Sequence, residues 1–333
     1  MKAWIVDGAN LPVRLADIDE PVAGPGQAVV AVKAAALNHR DVWIQHGKYF
    51  IHKYPVIPGA DGCGVVTAVG EGVDSRWIGR EVVINPGVGW GDNQLAARDD
   101  FKTLGTPDDG TFAEKMLIPA TQLFDKPAHL DAIHAAALPL AGLTGYRAVF
   151  SRGGLKAGER VLVTGAGGGV ALFMLQYAVA AGARVFVSSG APEKIARARE
   201  MGAEGGVNYR DSDWEKQLQA MSGGIDLVVD SACGPDFPKL LDVAAPGGRI
   251  VYFGITAGAA PAFDMRNFYR KQLSLLGTKM GSLADFAAMI EFVSAKRIVP
   301  VVDRVLPFSQ VNEAYEALHA GGQFGKIVIS VAG

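Results

Sequence analysis

Residues 161–170 read VLVTGAGGGV, an apolar β-branched run that breaks into four glycines within five positions and then into an Ala-rich helical pattern. Those residue types suit the binding of a pyrophosphate. Gly165 permits a sharp turn, Gly167, Gly168 and Gly169 let the backbone approach a phosphate, and Val170 opens a helix whose N-terminus offers unpaired N–H groups and a positive dipole. The spacing departs from G-x-G-x-x-G because the small residue that packs helix on strand falls one position late, at Ala171. A glycine-rich surface turn would share these letters, but not the strand before, the amphipathic stretch after, and Val185-Phe186-Val187 arriving about 20 residues on.

The residues at the end of that second strand bear on the choice of cofactor. A reader of the NAD ribose places Asp or Glu there, whereas this chain runs Ser188-Ser189-Gly190 and then reaches Lys194. An acid would repel a 2′-phosphate, while hydroxyls and a lysine can hold one through charge-assisted hydrogen bonds. NADP(H) is therefore the expected cofactor. Lys194 would otherwise be the solvated face of a helix over 193–201.

The elements that must position these groups fall into two styles. From residue 1 to about 125 the chain is strand-like, with short runs at 28–34, 64–69, 80–84 and 112–118 cut by Gly and Pro. An Ala-rich helix is expected around 131–150. Strands then recur at 161–164, 184–187, 206–209, 225–230, 249–253 and 273–276, alternating with helices at 171–182, 193–202, 212–222 and 236–244. That alternation predicts a doubly wound parallel sheet of about six strands, with Gly165, Ser189, Asp230-Ser231, Gly254 and Gly277-Thr278 along the ligand-binding rim. A helix at 283–297, a strand at 301–306, a helix at 309–320 and a strand at 326–331 read as a return to the first domain. The expected domains are thus 1–125 with 280–333, and 126–279.

The 333 residues carry a net charge of −2 with both signs interspersed, so nothing points to nucleic acid. The opening MKAWIVDGAN reads as a strand and not a signal peptide. No apolar run approaches the roughly 18–20 residues of a membrane span, and a soluble, cytoplasmic protein is expected. Cys63 and Cys233 lie far apart and suit a reducing compartment. With two cysteines there is no four-cysteine zinc site.

Leu37-Asn38-His39-Arg40-Asp41, then Pro58-Gly59-Ala60-Asp61-Gly62-Cys63-Gly64-Val65-Val66, then the glycine loop resemble the medium-chain dehydrogenase/reductase superfamily over essentially the whole length. Leu143-Thr144-Gly145-Tyr146, Pro246-Gly247-Gly248-Arg249 and Gly325-Lys326-Ile327-Val328 add to the likeness. The resemblance implies an α/β protein in which a GroES-like β-barrel joins a Rossmann doubly wound parallel sheet, with the active site in the cleft between them. Zinc-bearing members hold a catalytic metal where this chain has Asn38, Gly59-Ala60-Asp61 and, near their second cysteine, Leu140. An amide, a methyl and an isobutyl group do not ligate zinc, and no metal is expected. A makeshift site from His39, His46 or His52 with Asp41 is the remaining option, against ordinary surface or substrate-contact roles.

The chain most resembles the zinc-free quinone oxidoreductases, which use NADPH. Asn38 and Asp41 match an Asn and Asp of that group, Trp43 stands where it usually has tyrosine, and Tyr49 and Tyr209 match further aromatic positions. The resemblance implies hydride transfer to a quinone or an α,β-unsaturated carbonyl, whose developing oxygen charge needs only a hydrogen-bond donor. Asn38 would donate that bond, Asp41 orient the loop, and Tyr49 line the site or deliver a proton, with Trp43 and His46 in the substrate pocket. Thr144, Ser231, Phe253, Gly254 and Lys326 join the cofactor residues by rim position and likeness. Each has a plainer use: Asn38 could end a strand, Asp41 cap a helical turn, Tyr49 pack against the cleft wall, and Lys326 be an exposed strand-end charge. A zinc-independent alcohol dehydrogenase or aldehyde reductase is the rival enzyme, and an NADPH-binding sensor with little catalysis the rival of another class. The apolar edge strand 273–276 suggests a homodimer, with a tetramer open.

Overall fold

The structure, a computed structural model, describes residues 1–49 and 53–331. The chain divides into two compact units, Met1–Leu143 with Gly281–Gly333, and Thr144–Met280. In the first unit β1 (Lys2–Ile5) and β2 (Arg14–Asp17) form an antiparallel pair. The long strand β3 (Gln27–Ala36) leads into α1 (His39–Gln45) and β4 (Asp61–Val69), followed by β5 (Glu81–Ile84). A two-stranded ribbon of β6 (Gly87–Val88) and β7 (Lys102–Thr103) precedes β8 (Lys115–Pro119) and β9 (Leu123–Asp125).

The expected helix over 131–150 is not one helix. It is α2 (Ala132–Ala136), α3 (Pro139–Tyr146) and a π-helical segment over Arg147–Arg152. Pro139 lacks an N–H and disfavours helical geometry in the residue before it, so the chain restarts there. Helix α2 packs on β3 and β4, which assigns 126–143 to the first unit and moves the expected boundary at 126 to residue 144.

The second unit is a six-stranded parallel sheet built from β10 (Arg160–Val163), β11 (Arg184–Ser189), β12 (Gly205–Asn208), β13 (Ile225–Asp230), β14 (Ala244–Tyr252) and β15 (Ser274–Gly277). Its order is β12-β11-β10-β13-β14-β15, which leaves β15 at an edge with Leu275 partly exposed. The crossovers are α4 (Gly169–Ala180), α5 (Pro192–Glu200), α6 (Trp214–Ser222) and α7 (Phe237–Val243), with α8 (Met265–Arg270) unforeseen between β14 and β15. Strands β10 and β13 carry Val161, Leu162, Val163, Leu227, Val228 and Val229, all fully buried, as a sheet covered on both faces requires. The carboxyl ends of these strands therefore share one rim, where the glycine loop sits.

The chain re-enters the first unit with α9 (Leu283–Lys296), β16 (Val302–Pro307), α10 (Val311–Ala320) and β17 (Lys326–Ser330). Strand β17 pairs antiparallel with β3, completing a seven-stranded sheet of order β16-β17-β3-β4-β5-β9 with β8 also on β3. Register shifts at Val29/Val30 and Val32/Ala34 bend β3 where it pairs with β4. No helix among the described residues is long and apolar enough to cross a membrane.

The β3–β4 approach is close enough to test. A Cβ on Gly64 would lie 2.1 Å from the Ala31 carbonyl oxygen, so Gly64→Ala must push two strands apart. Urea unfolding should show a loss of about 3 kcal/mol, the upper end of ordinary overpacking. An unchanged midpoint would contradict the register.

Candidate active site

Asn38 follows β3 and stands at the N-cap of α1 in extended conformation. Its backbone N–H donates to Asp41 Oδ2 at 2.8 Å, so Asp41 closes the first turn as the plainer reading of its spacing anticipated. Asn38 Nδ2 donates to Asp61 Oδ2 at 2.9 Å, and Asn38 Oδ1 accepts from Lys326 Nζ at 2.6 Å. Lys326 Nζ also donates to Asp61 Oδ2 at 2.8 Å and to the Leu37 carbonyl at 2.7 Å. The other Asp61 oxygen accepts from the Leu140 N–H at 2.7 Å, at the start of α3. All four side chains, Asn38, Asp41, Asp61 and Lys326, are buried.

Lys326 thus corrects the expectation of a cofactor contact or an exposed strand-end charge. Its three ammonium protons go to three protein oxygens, leaving none for a cofactor phosphate. Asp61 is a site residue that local sequence patterns did not single out. The available signal was a carboxylate opening the apolar strand β4, DGCGVVTAV, since a buried carboxylate must find a cation.

Around this set, Arg40 donates from Nη1 to the Leu104 carbonyl, and its guanidinium lies 4.9 Å from the Tyr49 ring centroid. Asp41 Oδ1, Arg40 Nε and Nη2, and the Tyr315 hydroxyl are buried without a hydrogen-bond partner among the described residues. Trp43, on α1, is half-buried, and the His46 ring lies 5.1 Å from His319 of α10. His52 lies outside the described residues.

In the second unit, Gly165 and Gly167 adopt φ of +69° and +116°, conformations that L side chains rarely take. Gly168 is the N-cap of α4, with Gly169 and Val170 in its first turn. A Cβ on Gly165 would meet nothing within 4 Å, so the loop forms an open backbone cradle that fits a dinucleotide pyrophosphate. A Cβ on Gly167 would lie 2.6 Å from Lys194 Cδ, so the lysine lies against this loop.

Ser189 is buried, and its hydroxyl donates to the Ala166 carbonyl at 3.2 Å, tying β11 to the glycine loop. Over the neighbouring Gly190 lie Tyr209 and Arg210, whose Oη and Nε would be 2.7 and 2.9 Å from an added Cβ. Arg210 is a second residue missed in the sequence; its signal was a cation directly after Asn208-Tyr209. On the far side of the rim Asp230 accepts from Thr164 Oγ1 at 2.5 Å and from the Cys233 N–H at 2.7 Å. It shapes the turn containing Ser231, whose carbonyl would lie 2.3 Å from a Cβ on Gly254, and Phe253 donates its N–H to the Asp230 carbonyl. Thr144, on α3, is buried with Oγ1 4.0 Å from Met280 Sδ.

Zinc does not fit the first site. Asp61 is the one carboxylate among Asn38, Ala60, Asp61 and Leu140, and both its oxygens are engaged by protein donors. Cys63 is buried in β4, where burial pushes its thiol up to about 12, away from the thiolate a metal needs. Among the described residues no three His, Cys, Asp or Glu side chains are grouped to hold a metal ion.

Burial raises the Asp41 carboxyl to about 6, against the opposing pull of Arg40 and the Asn38 N–H. An unfolded aspartate titrates near 4, so between about pH 4 and 6 the folded chain keeps a proton that the unfolded chain has lost. This group therefore favours folding at low pH, and the contribution disappears as pH rises through 6. Asp41→Asn keeps an acceptor for Asn38 and removes the titration. Relative to the parent protein its stability should rise by up to about 3 kcal/mol from pH 4 to 7 in urea unfolding. A difference independent of pH would contradict the assignment.

Residues 24–128 match the alcohol dehydrogenase GroES-like domain, and residues 169–295 match the zinc-binding dehydrogenase family. The chain is 36% identical to the zinc-type alcohol dehydrogenase-like protein YogA of Leptosphaeria maculans, over 96% of this chain and 95% of that protein. It is 28% identical to an acryloyl-coenzyme A reductase of Sulfurisphaera tokodaii, over 99% of each. A crystal structure of an NAD-dependent alcohol dehydrogenase superposes with a TM-score of 0.94 at 36% identity, covering 100% of both chains. A GroES-like unit, a Rossmann-type parallel sheet with its glycine cradle, and likeness over the full length together make this chain a nicotinamide-dependent oxidoreductase of the medium-chain dehydrogenase/reductase superfamily.

Proposed function

We propose that the chain is an NADPH-dependent reductase that transfers hydride without zinc to an α,β-unsaturated carbonyl or a quinone. The observation that carries this reading is the amide of Asn38, held by Asp61 and Lys326 where zinc-bearing relatives have a metal ligand. One Nδ2 proton goes to Asp61, and the other has no acceptor among the described residues. An amide N–H can stabilise the oxygen of an enolate or hydroquinone, whose charge is delocalised, but it is a weak substitute for a Lewis acid on a saturated ketone. The acryloyl-coenzyme A reductase among the relatives supports a conjugated acceptor.

Bound NADPH would supply the hydride. The glycine cradle of Gly165, Gly167, Gly168, Gly169 and Val170 would hold its pyrophosphate, with Thr144, Ser231, Phe253 and Gly254 as further contacts. Lys194 and Tyr209 would hold the 2′-phosphate; Ser189, whose hydroxyl faces Ala166, would act there by keeping an acid out. Asp41 fixes the backbone of Asn38, and Tyr49, ordered against Arg40, lines the substrate pocket with Trp43 and His46 or returns a proton. The exposed edge of β15 supports a homodimer.

A second reading, an alcohol dehydrogenase, is favoured by the likeness to the NAD-dependent alcohol dehydrogenase of known structure. Chelator-treated enzyme assayed against an enone, a quinone and a saturated ketone separates the two. Enone or quinone turnover with NADPH, unaffected by chelator, is expected; turnover confined to the saturated ketone or to its alcohol would support the second reading. Lys194→Ala should raise the KM for NADPH by roughly 10-fold, the loss of a charge-assisted bond, and leave that for NADH nearly unchanged. Equal effects on both cofactors would contradict its 2′-phosphate role.

A further inference from the structure

We propose that Lys326 and Asp61 are positioning residues for the reaction, acting through the side chain of Asn38. The inference rests on the reading of Asn38 as the donor to the substrate oxygen. A primary amide can rotate by half a turn and exchange its oxygen for its NH₂ group, and where only solvent surrounds it nothing selects between the two orientations. Here each end of the amide meets a partner that accepts only one orientation. The Lys326 ammonium has only protons to offer, so it requires Oδ1, at 2.6 Å. The Asp61 carboxylate has only lone pairs, so it requires Nδ2, at 2.9 Å. Exchanging the amide would set proton against proton and lone pair against lone pair in a buried site, where such mismatches are costly.

The two partners are themselves joined at 2.8 Å and immobilised from the far side. Lys326 is held by the carbonyl of Leu37, the residue before Asn38, and Asp61 by the Leu140 N–H. The ammonium on Oδ1 draws electron density out of the amide and the Asp61 carboxylate on Nδ2 returns it, so the pair acts on the remaining Nδ2 proton by fixing its direction. Lys326 therefore acts at the substrate through the amide, and its buried ammonium does not act on the cofactor.

Removing one charge of a buried pair risks the fold, so the test uses the charge-neutral double variant Lys326→Met with Asp61→Asn, which retains an acceptor for Leu140. It should fold and bind NADPH with the parent dissociation constant, while enone kcat falls roughly 10- to 100-fold with KM little changed. In an Asn38→Ala background the same pair of changes should lower kcat by less than about 3-fold further, because the amide they position is gone. Full additivity in that background, or a weakened NADPH affinity as the main effect, would overturn the proposal. An Asn38→Ala protein with parent turnover would instead remove the reading of Asn38 as donor, and the positioning role with it. Loss of turnover in Asn38→Ala with full turnover in the double variant would leave Asn38 standing and overturn the positioning role alone.

Discussion

The buried ion pair between Lys326 and Asp61 is the interaction around which the first unit is arranged. Neither charge can be left alone in a site shut off from water, since removing one partner of such a pair costs about 3–5 kcal/mol. Their union therefore obliges β17 to lie beside β3, brings the start of β4 beneath the start of α1, and seats the N-terminus of α3 on the second Asp61 oxygen. Five elements from distant parts of the sequence meet on two side chains. The orientation of the Asn38 amide is set by that meeting.

The second unit depends on a different constraint, the conformation of the glycine loop. Positive φ at Gly165 and Gly167 turns the chain from β10 into α4 without a side chain in the cradle. Ser189 reinforces it by bonding Ala166, and Asp230 holds the turn on the other flank through Thr164 and the Cys233 N–H. Burial raises the Asp230 carboxyl, so those donors, which pull it back down, compensate a cost of placing the acid there. Tyr209 and Arg210 lie over Gly190, next to the strand end where nucleotide readers of the NAD type carry an acid and this chain has Ser189.

Local chemistry is legible in the sequence, and long-range pairing is not. Residues 161–170 announce a phosphate cradle because every glycine needed lies within one turn, and the six strands of the parallel sheet appear as short β-branched runs at regular intervals. The Lys326–Asp61 pair is not legible there because its partners stand 265 positions apart, each in its own short motif, and neither motif points to the other. Lys326 looked like a strand-end charge for the same reason. The alanine-rich run around 131–150 suggests one helix, but Pro139 divides it, and the part before residue 144 belongs to the first unit. The bond of the Ser189 hydroxyl to Ala166 is not legible in the sequence because it depends on a loop 23 residues away.

On the reading proposed above, an amide oriented by a buried ion pair takes over the work that a metal does in the zinc-bearing members of the superfamily, and turnover depends on it. The zinc content of enzyme purified from zinc-supplemented culture, measured by elemental mass spectrometry alongside turnover, tests this most directly. Full activity is expected with well under roughly 0.1 zinc per chain, since Asp61 alone is no zinc site. About one zinc per chain, lost together with activity on chelation, would contradict it.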